Sequence, residues 1–425
     1  MLTVCQSSNI WGRVLEDDIS TFNTYAARIR HYEPRTSNNI HLFAYFHILQ
    51  CCGRSHLLPN LVHFKPFKPD AKEVSFLLSP RLQGLSTREL IGNRPNPASL
   101  LNLLHSLSPN LVVLKLQCVV LDNRCLSALC LLTRVEKILV EDAISEAATS
   151  LTLDFLFDMS ARHTLRCLEL IGSLKIVPSS KPRVNCDPIT FSALKHIELD
   201  CDLAMASVTL LLRHITFPVL EKFRIGLCMF DRSDLQQHWY QFFNTIGNAT
   251  RHFKELAFIR YLDDPLELHL SGPLKPGSFS LTSFTVEGPI LSLSHRDMEA
   301  IIDAWPLLTV LCLPRHHGSL PKIDFSALIA IARGLPHLEH LELYINTSVL
   351  PNLQDIPLLS HGLPSFVSDY SDMLIGNAKH FVQSLDRLFP NIQMWDFFES
   401  EANTLLDMLH QVRKDDAMRL SCGAS

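Results

Sequence analysis

Ser108-Pro-Asn-Leu111-Val-Val-Leu114-Lys-Leu116 carries a Leu-x-x-Leu-x-Leu spacing that recurs along most of the chain. Later copies read Leu165-Arg-Cys-Leu168-Glu-Leu170, Leu194-Lys-His-Ile197-Glu-Leu199 and Leu220-Glu-Lys-Phe223-Arg-Ile225. Leu308-Thr-Val-Leu311-Cys-Leu313 and Leu338-Glu-His-Leu341-Glu-Leu343 follow. Looser copies are Val135/Ile138/Val140, Phe253/Leu256/Phe258, Leu281/Phe284/Val286 and Ile392/Trp395/Phe397, with a degenerate one near Leu363-Pro-Ser-Phe366. Leu61-Val-His-Phe64 and Leu82-Gln-Gly-Leu85 are weaker starts upstream. The first positions 111, 135, 165, 194, 220, 253, 281, 308 and 338 are separated by 24, 30, 29, 26, 33, 28, 27 and 30 residues.

The physics of the motif is simple. Strand side chains alternate faces, so 114 and 116 point into a core while 113, 115 and 117 point out. One such unit cannot bury its apolar face alone, and stacking neighbours builds a continuous core. Unrelated strands of an ordinary α/β fold would not repeat at near-constant spacing. The expected fold is therefore α/β: a leucine-rich-repeat solenoid, or horseshoe, with a parallel concave sheet and helices on the convex side. Residues 58–399 form the repeats, 1–57 an N-terminal helical cap, and 400–425 a C-terminal capping helix and tail.

Helix signals fall in the gaps. Residues 19, 22, 26 and 29 recur at helical spacing, and a second run spans about Ile40 to Cys52 with Gly53 as its stop. Further helices are expected over Pro97–Leu107, Leu121–Leu132, Leu203–His214, Asp234–Ile246, Asp324–Gly334 and Asp372–Phe389. Ser294-His-Arg-Asp297 reads as a capping box opening a helix that runs to Trp305. Residues 172–190 and 263–280, rich in Pro and Gly, read as extended loops, the latter around a short Leu-Glu-Leu-His-Leu strand.

Composition narrows the function. Hydrophobic residues make up 47% of the 425-residue chain and charged ones 19%, which is the balance of a folded, core-rich protein. The net charge is 38 − 43 = −5 without a lopsided block, so neither nucleic acid nor an anionic membrane is an expected partner. The 12 cysteines have no framework spacing and read as buried reduced thiols. With no signal-like start and no apolar run of about 18 residues, a cytoplasmic or nuclear location is expected.

The residues resemble the fungal F-box-associated leucine-rich-repeat proteins, abundant in mushroom-forming fungi. Three features carry the likeness: Asp18-Ile-Ser-Thr-Phe22-Asn-Thr-Tyr25-Ala26-Ala-Arg28-Ile29-Arg30, strand starts after Phe-Pro, Trp-Pro or Leu-Pro, and Leu388-Phe-Pro-Asn-Ile392. The resemblance implies a substrate receptor of an SCF-type ubiquitin ligase, with the segment from Asp18 following an F-box. The 17 residues before Asp18 hold no Leu-Pro pair, so a ligase adaptor is expected as a partner only where an F-box stands upstream. The alternative is a stand-alone repeat protein acting as an interaction or inhibitor module without a ligase link.

Catalytic chemistry is not expected. Phosphate-loop, dinucleotide-binding, nucleophile-elbow and zinc-protease motifs are missing from the sequence, and Ser192-Ala-Leu-Lys195 commits Leu194 to the core. His316-His317 and His337-Leu-Glu-His340 lack further ligands at zinc spacing, so neither a metal nor another cofactor is expected. An enzyme site hidden between repeats would need polar inward positions, and those hold Leu, Ile, Val and Phe. The expected binding surface is the outward strand face, with Glu169, His196, Glu198, Asp200, Lys222, Arg224, His340, Glu342, Tyr344 and Asp396 as the residues a protein partner would meet.

Overall fold

The computed structural model describes residues 16–34, 42–66, 71–87, 97–119, 121–142, 149–172, 174–177, 189–229, 235–250, 252–259, 266–267, 270–272, 274, 280–287, 290–313, 323–368, 378–397, 404–409 and 411–413. The chain divides into two compact units, one of residues 1–203 with 213–220, the other of 204–212 with 221–425.

In the first unit the elements run α1 (Glu16–Ala26), β1 (His31–Tyr32), α2 (Leu42–Cys52), β2 (His63–Phe64), α3 (Ala71–Leu77), β3 (Gly84–Thr87), α4 (Pro97–Leu107) and β4 (Val113–Val119). They continue with α5 (Asn123–Leu129), β5 (Lys137–Asp142), β6 (Thr149–Thr152), α6 (Leu153–Ser160), β7 (Cys167–Ile171), β8 (Leu174–Val177), β9 (Ile189–Thr190) and β10 (His196–Ala204). The strands β1-β2-β3-β4-β5-β7-β10 pair in that order, all in parallel. The segment expected as a helical cap and linker also donates the first strand: His31 and Tyr32 pair with His63 and Phe64. Gly53 ends α2 at φ 56°, a left-handed conformation that glycine adopts without a Cβ penalty.

Helix α7 (Met205–His214) and β11 (Ile215–Thr216) come next in the chain. The second unit continues with β12 (Lys222–Met229), α8 (Leu235–Ala249), β13 (Glu255–Ile259), β14 (Leu266–Glu267), β15 (Ser283–Glu287), β16 (Ile290–Ser292), α9 (His295–Ala304) and β17 (Val310–Leu313). It closes with α10 (Phe325–Gly334), β18 (His340–Leu343), β19 (Ser365–Ser368), α11 (Ala378–Leu388) and β20 (Met394–Phe397). Here the parallel order is β12-β13-β15-β17-β18-β19-β20. Residues 404–409 and 411–413 are helical as expected of the C-terminal segment, whereas 369–377, at the start of the expected Asp372–Phe389 helix, lie outside the described residues.

Every copy of the Leu-x-x-Leu-x-Leu motif becomes one strand, and one joint recurs beside it. A single carbonyl accepts two successive N–H groups from the next strand: Val62 takes those of Gln83 and Gly84, Gln83 those of Val112 and Val113, and Glu136 those of Arg166 and Cys167. In the second unit Lys254 receives Thr282 and Ser283, Thr282 receives Thr309 and Val310, and Thr309 receives Glu339 and His340. Side chains reinforce the joint, since Ser108 Oγ donates to the Ser79 carbonyl and Thr309 Oγ1 to that of Thr282.

The core follows the expected register. Leu114, Leu116, Ile138, Val140, Leu168, Leu170, Ile197 and Leu199 are buried in the first unit, together with the apolar faces of α4, α5 and α6. In the second unit the fillers grow larger. Trp239, Phe242 and Phe243 of α8 meet Phe258 and Phe284 of the sheet and Trp305 at the end of α9, with ring centroids 5.0 Å apart for both Trp239–Phe258 and Phe284–Trp305. Such large rings fill the space between strand and helix that Leu fills elsewhere.

Candidate functional site

The outward face of the parallel strands is where polar side chains meet. In the first unit, parallel pairing sets His196 opposite Cys167 and Glu198 opposite Glu169, while Lys137 and Leu139 flank them from β5. The result is a compact polar cluster. Lys137 Nζ lies 3.0 Å from Glu169 Oε1, and Cys167 Sγ donates to the same oxygen at 3.0 Å. His196 Nδ1 stands 3.6 Å from Cys167 Sγ and 3.7 Å from Glu169 Oε1. The other ring nitrogen, Nε2, is 3.9 Å from Glu198 Oε2.

Burial here departs from the expectation of a solvated face. Glu169 is only 7% exposed and Cys167 9%, although both point away from the Leu core. Burial raises the Glu169 carboxyl toward neutrality. The Cys167 thiol, the Lys137 ammonium and His196 outweigh that and hold it below the ordinary range. Burial, then the hydrogen bond to Glu169, pushes the Cys167 thiol up to about 12.

In the second unit, Cys312 faces Glu342 across the β17–β18 pair, and His340 begins the same strand. Ligand atoms of Cys312, His340 and Glu342 lie within 4.8 Å of one another, as do those of Cys167, Glu169 and His196. Burial and then the Glu342 charge lift Cys312 to about 11. His340 Nδ1 also meets Ser365 Oγ at 2.8 Å. Lys222 and Arg224, the expected basic pair, are each matched across the sheet. Lys222 Nζ is 2.7 Å from Glu255 Oε2, and Arg224 bridges both oxygens of Glu287 at 3.0 Å.

The structure therefore brings Glu169, His196 and Glu198 together, and His340 with Glu342, while Lys222 and Arg224 serve separate ion pairs. Tyr344 follows directly on β18 and is half-buried. The side chains of Asp200 and Asp396, on β10 and β20, lie outside the described residues, as do residues 316 and 317. His337 sits exposed in a turn, so His340 groups with Cys312 and Glu342 instead of with the histidine three residues before it. Ser192 is exposed and meets His163 Nδ1 at 3.2 Å, while Leu194 is buried.

Sequence reasoning missed Cys167 and Cys312. The signal lay in the copies themselves. Aligned on their first leucines, Leu165 and Leu194 put a cysteine and a histidine in one column, and Leu308 and Leu338 put a cysteine beside a glutamate in another.

Chemically, Cys167, His196 and Glu198 have the connectivity of a nucleophile, a base and the acid that orients it. Burial, then the hydrogen bond to Glu169, works against that chemistry, because a thiol pushed up to about 12 supplies little thiolate at neutral pH. Compared with protein-family models and with curated proteins, the chain matches none. Among the described residues no helix is long and apolar enough to cross a membrane.

Proposed function

We propose that this chain is a non-catalytic protein-recognition scaffold: a leucine-rich-repeat horseshoe whose parallel sheet is the concave, partner-facing surface and whose helices form the convex side. The supporting observation is the joint between strands. Within each unit the motif copies give strands paired in parallel with their neighbours, and at most steps one carbonyl takes two successive N–H groups of the next copy's entry; at β19, where Pro364 has no N–H to donate, Glu339 takes that of Ser365 alone. Such stacking yields an extended surface of repeated outward positions, the usual binding face of repeat proteins.

The ligand is a protein. Acidic and basic groups alternate on this face and are matched to one another, which offers no continuous basic track for a phosphate backbone. In keeping with the fungal family that the sequence resembles, the biological setting is substrate reception for an SCF-type ubiquitin ligase, with the adaptor as a partner only where an F-box stands upstream. The described cysteines Cys51, Cys52, Cys118, Cys125, Cys130, Cys167 and Cys312 are all free thiols, which fits a cytosolic or nuclear compartment.

Affinity purification of the tagged chain from its native cells, followed by mass spectrometry, tests this. Recovery of adaptor and cullin identifies a ligase receptor. A different stoichiometric partner without them identifies the stand-alone interaction or inhibitor protein. In either case the double substitution Lys222→Glu/Arg224→Glu reverses charge on the strand face without entering the core, and the partner should be lost. Undiminished recovery would move the binding surface off this face.

A further inference from the structure

We propose that Cys167, Glu169 and His196 form a binding site for a zinc-like divalent cation, held by Cys167 Sγ, Glu169 Oε1 and His196 Nδ1. The three atoms form a triangle with edges of 3.0, 3.6 and 3.7 Å. Zinc at its usual bond lengths to sulfur, nitrogen and oxygen, in tetrahedral geometry, separates its ligands by about 3.4–3.6 Å. The sulfur–nitrogen edge already matches, the nitrogen–oxygen edge must close by about 0.3 Å, and the sulfur–oxygen edge must open by roughly half an ångström once the thiol proton leaves and the ion enters. Thiolate, imidazole and carboxylate together select zinc over hard cations such as magnesium.

Charge balance supports the assignment. Thiolate and carboxylate supply two negative charges against the two positive charges of the ion, so the loaded site is neutral at a place where Glu169 and Cys167 are buried. Binding breaks the Cys167 S–H bond, and the proton goes to solvent. Lys137, whose side chain is 44% exposed, yields its place on Glu169 Oε1 and returns its ammonium to water. Glu198 stands 3.9 Å from the ring nitrogen that does not bind the ion, and a closer approach on loading would let its carboxylate accept that N–H and fix the imidazole tautomer. Three protein ligands leave a fourth position for water.

The second unit holds a competing cluster, which the test removes. Cys312, His340 and Glu342 repeat the residue types with a different register, the cysteine facing glutamate instead of histidine. The proposal rests on the first cluster and is independent of the scaffold reading.

The test uses the full chain, stripped with a chelator and titrated with cobalt(II) and then zinc. Cobalt should produce a thiolate charge-transfer absorption in the wild type and in Cys312→Ser, and lose it when Cys167→Ser is added to Cys312→Ser, the background in which every Cys167→Ser reading is taken. His196→Gln should weaken zinc binding, read by competition with a chromophoric chelator, by about 100-fold or more, and Glu198→Gln by about 10-fold. Circular dichroism confirms that each variant folds; if Cys167→Ser does not, His196→Gln, at a half-exposed position, carries the test. Absence of the absorption in the wild type overturns the site. So does its survival in Cys167→Ser, or wild-type zinc affinity in His196→Gln.

Discussion

Glu169 shows how far one neighbour can change the meaning of a residue. Its place in the strand assigns it to the outward face, and it does point there, yet Lys137, Cys167 and His196 from three adjacent strands close around it. Lys137→Ala removes the ammonium paired with the carboxylate and should cost about 1–3 kcal/mol in a denaturant titration. A change below about half a kcal/mol would show that water replaces the ammonium at no loss. The ordinary core positions behave differently. Leu341 is fully buried, and Leu341→Asp places an unpaired charge there, which should cost several kcal/mol and abolish the thermal transition of its surroundings. Lys222→Ala breaks only an exposed ion pair and should cost about 1 kcal/mol or less. Similar melting of the two variants would place the register one residue out. The inward positions were legible in the sequence because alternation by itself decides them. The cluster at Glu169 was legible only in part: Glu169, His196 and Glu198 stand at outward positions, but Cys167 was missed and Lys137 and His196 stand one repeat away in the chain, becoming neighbours only through the parallel pairing.

The helices were read from their caps, and those caps make predictions of their own. Ser294 and Asp297 form the expected capping box on α9. Asp297 does more than cap: its Oδ1 also accepts the backbone N–H groups of Leu270 and Ser271 at 2.8 and 2.9 Å, tying down a stretch that read as a free loop. Asp297→Ala therefore orphans more donors than Ser294→Ala. It should cost about 3 kcal/mol against about 1 kcal/mol for the serine, measured by chemical unfolding. Equal losses would reduce Asp297 to a cap. On α5, burial opposes ionisation of Asp122, but hydrogen bonds from the Cys125 side chain and backbone and from the Arg124 N–H hold its carboxyl below the ordinary range. A lowered folded pKa adds stability above the unfolded carboxylate range, and that stability disappears as pH falls through the folded value. The melting difference between wild type and Asp122→Ala, about 1 kcal/mol near neutrality, should shrink in acid. Helix α6 escaped sequence reading because Thr149-Ser-Leu-Thr152 ahead of it has strand character, and the same stretch does form β6 before Thr152 caps the helix. Residues 172–190, read as an extended loop, carry β8 and β9, which pair with β6 and β11. Strands of two to four residues whose partners lie about one repeat away leave no periodic trace.

Across the whole molecule, thiol chemistry offers a direct check on packing. Cys125, Cys167 and Cys312 are buried, with their thiols pushed up to about 12, 12 and 11, burial being the first cause in each. Cys118 is exposed, at φ 54° beside the irregular register of β4 on β5. A maleimide at neutral pH should label Cys118 in the folded protein and reach the other three only after denaturant, as read by peptide mass spectrometry. Rapid native labelling of Cys125 or Cys312 would contradict the packing of α5 or β17. The repeat architecture as a parallel α/β arrangement was legible from spacing alone, since each copy supplies its own strand. The division into two compact units was not, because the motif runs through both with the same spacing.

The recurring joint between strands bears on how such a chain changes over generations. Since the entry of each copy hangs on one carbonyl of the copy before it, a duplication or loss spanning one whole motif inside a unit restores the same pair of hydrogen bonds at the scar. A gain or loss of one residue within a strand would swap every following side chain to the opposite face. Such a chain can therefore gain or lose whole copies without breaking its ladder, and its connections are where the spread of intervals from 24 to 33 residues is absorbed.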